Sequence, residues 1–103
     1  MIKVLLVEDQ REISENIRLY LKNDFEVQPV FGGEDALLYL KAYTYDLVIL
    51  DLMLPGIDGM SVLSYIEKEK LEIGVLVLTA KEDLGDKLKA FERGAQDYLT
   101  KPF

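Results

Sequence analysis

The chain contains neither cysteine nor histidine. Without thiols there is no disulfide, no thiol chemistry and no thiolate metal centre. Without imidazole the commonest general base is gone, together with the usual ligand of zinc and iron. Basic residues are also scarce. Twelve Lys and Arg stand against nineteen Asp and Glu, for a formal charge of -7. That balance argues against nucleic acid or an anionic membrane as a partner of this segment, because both recruit basic surface. No apolar run is long enough to span a bilayer. Met1-Ile2-Lys3-Val4 leads straight into a strand-like run rather than a signal peptide. The expectation is an intracellular protein whose chemistry runs on carboxylates, hydroxyls, lysines and backbone groups.

What is present fits one globular domain over residues 1–103, with half the residues hydrophobic and 30% charged. Ile2 to Val7 is short, apolar and rich in branched residues, as a strand buried on both faces requires. Arg11 to Asn23 carries Ile13, Ile17, Tyr20 and Leu21 at helical spacing. Phe25 to Val30 reads as a second, more polar strand with an edge position. Gly33 to Ala42 is a second amphipathic helix, through Ala36, Leu37 and Leu40. Leu47 to Leu50 is the third strand. Asp58 to Glu69 is a third helix with Asp58 as N-cap. Val75 to Thr79 is a fourth strand. Leu84, Leu88 and Phe91 mark a fourth helix that stops at Gly94, and Tyr98 to Thr100 a short fifth strand. Strict alternation of strand and helix implies a parallel sheet with right-handed crossovers and helices on both faces.

In such sheets functional groups gather at the carboxyl ends of the strands. The residues that fall there are Glu8 and Asp9 after the first strand, Asp51 at the end of the third, Thr79 at the end of the fourth and Lys101 beyond the fifth. Taken singly, each has an ordinary explanation. Adjacent acids often cap a helix, a lone Asp usually sits in a turn, and a lone Lys is usually a solvated charge. Taken together, they form a carboxylate cluster with a hydroxyl and a cation on one edge. Clustered carboxylates repel one another, and a divalent cation relieves that repulsion. Hard oxygen ligands select magnesium, with manganese as a substitute. With Asp51 as nucleophile, the set suits phosphoryl transfer to a carboxylate.

The stretches "VLLVEDQ", "DLVILDLMLPGIDG", "VLVLTA" and "GAQDYLTKPF" resemble the receiver domains of bacterial two-component response regulators, along the whole chain. Pro55 and Gly59, four and eight residues after Asp51, belong to the same pattern. The resemblance is strongest to regulators of the OmpR/PhoB type, which carry a DNA-binding domain after the receiver. It implies a flavodoxin-like, doubly wound α/β fold with five parallel strands in the order 2-1-3-4-5. It also implies Asp51 as phosphoacceptor, with Glu8, Asp9, Asp51 and the Met53 backbone carbonyl as magnesium ligands. Thr79 becomes the switch hydroxyl, Lys101 the lysine on the phosphoryl group and Tyr98 the switch aromatic. The implied partner is a sensor histidine kinase, the implied location the cytoplasm, and the implied role regulatory rather than enzymatic.

Two other classes fit less well. A phosphatase of the haloacid dehalogenase type wants an acid two residues after its nucleophile, where this chain has Met53. A flavodoxin-like electron carrier wants a phosphate-cradling loop where this chain has Glu8-Asp9-Gln10. A receiver fold used as an interaction module without phosphorylation is the remaining alternative. Receivers normally continue into a fifth helix, and this chain stops before one. The expectation is therefore a receiver truncated before its last helix, with the sheet partly uncovered at Val4 to Leu6 and Val75 to Val77. Such a chain should self-associate, as a dimer or by exchanging elements.

Overall fold

The computed structural model describes residues 1–54, 56–80 and 97–101, the last five and residues 79–80 as backbone strand only. The elements run β1 (Ile2–Val7), α1 (Arg11–Leu21), β2 (Phe25–Val30), α2 (Gly33–Ala42), β3 (Leu47–Asp51), α3 (Gly59–Lys68), β4 (Gly74–Ala80) and β5 (Asp97–Lys101). The five strands form one parallel sheet in the order β2-β1-β3-β4-β5. The order expected from the resemblance is the order found. The fourth helix expected around Leu84, Leu88 and Phe91 lies outside the described residues.

The side-chain alternation of each strand splits the core into two layers. Leu5, Val7, Val48, Leu50, Val75 and Val77 face one way and pack against Ala36 and Leu40 of α2 and Val62, Leu63 and Ile66 of α3. Val4, Leu6, Ile49 and Leu78 face the other way, against Ile17 and Leu21 of α1. Val4 to Leu6, Val75 and Val77 are buried, which corrects the expectation of partial exposure there, and within those two stretches it holds only at the half-buried Leu76. Val75 and Val77 belong to the layer beneath α2 and α3, because alternation turns them away from α1. On the α1 side the half-buried strand positions include Leu47 and Leu76 on the inner strands, with Phe25 and Val27 on β2.

Tyr20 departs from its expected place on the apolar face of α1, at 88% exposure. A single helix lying on a sheet buries one narrow stripe, and here that stripe runs through Ile17 and Leu21. Lys22 and Asn23, expected to continue α1, lie beyond its end.

Strand β2 is an edge strand, as its polarity suggests, and it contains Pro29. The Glu8 N–H donates to the Val30 carbonyl at 3.2 Å. In a parallel ladder the bonded residues alternate. The inward-facing backbone groups of β2 are therefore those of Gln28 and Val30, and Pro29 faces the open edge. A proline costs no ladder bond there. Its outward carbonyl accepts a hydrogen bond from Gln28 Nε2 at 3.0 Å.

Candidate functional site

The carboxyl ends of β1 and β3 lie side by side, with Val7 opposite Leu50. The next residue on each strand is an acid, so the register that joins two apolar strands also joins Glu8 to Asp51. Carboxylate oxygens of Glu8, Asp9 and Asp51 lie within 4.8 Å of one another. Glu8 and Asp51 are buried, and Asp9 is the most open of the three. At this spacing two like charges repel by roughly 1–4 kcal/mol, depending on the local dielectric.

Local hydrogen bonds hold the cluster in place. Glu8 Oε2 accepts from the Gln10 N–H at 3.0 Å, which turns the chain into α1. Asp51 Oδ1 accepts from the Met53 N–H at 2.9 Å, which fixes the first turn of the β3–α3 loop. The Leu52 N–H donates to the Leu78 carbonyl at 3.2 Å and ties that loop to β4. Asp58 caps α3 by accepting from the Ser61 N–H at 2.9 Å. The capping role assigned to Asp58 from sequence is the one it has.

Two glycines let both flanking helices close on this loop. A Cβ on Gly59 would strike the Asp51 carbonyl oxygen and the Leu52 Cα, and one on Gly33 would strike the Ile57 carbonyl oxygen. A larger residue at Gly59 would displace the backbone of Asp51 and Leu52, and one at Gly33 the backbone of Ile57 in the same loop. The sequence marks Gly59 by its spacing from Asp51. It gives no such signal for Gly33, whose constraint comes from a loop 24 residues away.

Thr79 and Lys101 enter through backbone register. Leu78 pairs with Asp51, so Thr79 is the next residue on β4, and Ala80 pairs with Lys101 on β5. Both belong to the same sheet edge as the acids. Tyr98 pairs with Val77, one strand further from Asp51. The side chains of these three residues lie outside the described set. The donor set of three carboxylates and nearby backbone carbonyls fits a small hard cation such as magnesium, whose charge offsets the repulsion among them. Among the described residues, no helix is long and apolar enough to cross a membrane.

Comparison with known proteins places this geometry. The chain matches the response regulator receiver domain over residues 4–103. The transcriptional regulatory protein CiaR of Streptococcus pneumoniae is 47% identical over 103 residues, covering 100% of this chain and 46% of the relative. The chain thus spans about half the length of the curated relatives it matches. Among solved structures, DrrB of Thermotoga maritima, an OmpR/PhoB homologue, superposes with a TM-score of 0.90 at 35% identity, over 100% of this chain and 46% of that one. TrrA of the same organism, solved in complex with Mg2+ and BeF, gives 0.87 at 34% identity, over 100% of this chain and 89% of that one.

Proposed function

The chain belongs to the response regulator receiver family, and from that premise we propose that it is a phosphorylation switch of a two-component system with Asp51 as phosphoacceptor. The observation that carries this reading is the meeting of Glu8, Asp9 and Asp51 at the ends of two adjacent strands. In the cytoplasm, a sensor histidine kinase presents phosphohistidine to this chain. An Asp51 carboxylate oxygen forms the new bond to phosphorus as the phosphorus–nitrogen bond breaks, and the electron pair of that bond stays on the imidazole. Glu8, Asp9, Asp51 and the Met53 carbonyl hold magnesium, or manganese in its place. When bound, the ion neutralises charge on the transferring phosphoryl oxygens. Lys101 offers a second positive charge to the same oxygens, and the Thr79 hydroxyl a hydrogen bond. As Thr79 moves toward the new phosphoryl group, Tyr98 rotates into the vacated space. The surface beside β4 and β5 then shifts between two packings.

The TrrA complex supports magnesium and a phosphoryl mimic as the ligand pair of this chain. The length and name of CiaR support a receiver that controls a DNA-binding effector elsewhere in a longer protein. With a formal charge of -7, this segment is poorly suited to touching DNA itself.

The test is intact-mass analysis after incubation with acetyl phosphate and magnesium. One phosphoryl group is expected on the parent, and none on Asp51→Asn or in the presence of EDTA. Modification that survives in Asp51→Asn overturns the nucleophile. A parent that stays unmodified is the interaction module considered above.

A further inference from the structure

Arg11 opens α1 two residues after Asp9, and its guanidinium carbon sits 3.9 Å from the centre of the Phe31 ring. Phe31 directly follows Val30, whose carbonyl accepts the Glu8 N–H at 3.2 Å. The ring therefore stands at the same strand end as Glu8, and the guanidinium stacked on it is held at the flank of the acid cluster. Stacking on an aromatic face restrains a side chain that would otherwise sample many rotamers. Arg18, by contrast, is engaged with Glu15 on the exposed side of α1. Among the described residues no ion pair involves Arg11.

An anionic donor approaching three carboxylates is repelled before it reaches them. A cation fixed at the mouth lowers that barrier by focusing the local field. We infer that Arg11, positioned by Phe31, is a capture residue for the phosphoryl anion of the incoming donor. The inference rests on the proposed phosphoacceptor role and adds a residue to it. The same positive charge opposes the metal, so its removal acts on the two ligands in opposite directions. The guanidinium sits at the rim and meets donor and transition state alike, so its loss raises KM and leaves kcat nearly unchanged.

The experiment compares the parent with Arg11→Gln, Arg11→Lys and Phe31→Leu. Acetyl phosphate is the doubly charged donor and phosphoramidate the less charged one, and magnesium binding is titrated separately. Arg11→Gln is expected to lower kcat/KM for acetyl phosphate about threefold to tenfold, and to affect phosphoramidate less. It should tighten magnesium by about twofold, and both effects should shrink with added salt. Arg11→Lys and Phe31→Leu fall between Arg11→Gln and the parent, since each keeps the charge and loses the stack. Equal loss for both donors, or unchanged kinetics in Arg11→Gln beside a parent that is phosphorylated, overturns the inference alone. A parent that takes no phosphoryl group on Asp51 overturns the proposed function as well.

Discussion

Replacing Asp9 by Asn removes one of three like charges whose oxygens lie within 4.8 Å of one another. Asp9 is the most open of the set, so the change leaves the buried packing of Glu8 and Asp51 in place. Asp9→Asn is expected to raise stability by about 1 kcal/mol without metal, because a repulsion is relieved. It should weaken magnesium binding at least about tenfold. The stabilisation that excess magnesium gives the parent by mass action should shrink accordingly. Urea denaturation with and without magnesium reads both effects, and parent-like magnesium binding would remove Asp9 from the ligand set. At this scale the sequence is informative where a charge interrupts an apolar run, as at Asp51, or where acids stand together at a strand end, as at Glu8 and Asp9. It is silent on the stacking of Arg11 on Phe31, which exists only because β1 pairs with β2.

Among the elements, the two close approaches of α2 and α3 to the β3–α3 loop define its shape. An Ala in place of a helical Gly ordinarily stabilises by about 0.5–1 kcal/mol. At Gly33, the first residue of α2, the added methyl would meet the Ile57 backbone, which cannot swing aside as a side-chain tip can. Overpacking of that kind costs about 1–3 kcal/mol, so the clash wins and the sign reverses. Gly33→Ala is expected to destabilise by about 1–2 kcal/mol, at least as much as Asp58→Ala, whose lost cap costs about 1 kcal/mol. Chemical denaturation of both variants checks the order, and a Gly33→Ala variant more stable than the parent would show that the loop yields. Element type and order were legible because period and punctuation agree along the described part of the chain. The exposed Tyr20 was not, because helical spacing says which residues share a face and not how wide a stripe the sheet covers.

For the whole molecule, the two sides of the sheet are unequally covered among the described residues. Helices α2 and α3 lie over one side and α1 alone over the other, where Leu47 and Leu76 stay half-buried. An apolar patch of about 300 Å² lies at the low end of the largest patches that monomers ordinarily expose. Covering it is worth roughly 7 kcal/mol at about 25 cal/mol per Å². Association costs about 4–15 kcal/mol in lost freedom, so the balance favours weak self-association at best. Light scattering across a concentration series is expected to show this 103-residue chain rising from monomer toward dimer mass. A constant monomer mass with no binding of a hydrophobic dye would show that the patch is closed. The sequence suggested association and put the weak spot at Val4 to Leu6 and Val75 to Val77, which is right for Leu76 alone, because only the register reveals which strand positions look toward α1.

Pro29 has a bearing on how such contacts can form. An open parallel edge is a template on which another extended chain can zip up, the first step toward fibrils. Near the C-terminal end of β2 this template is broken twice: Pro29 has no N–H to donate, and its carbonyl already accepts from the Gln28 side chain. A growing cross-β ladder would lose both bonds at that rung. Copies of this chain can meet through the face beside α1 without being drawn into runaway strand stacking at β2.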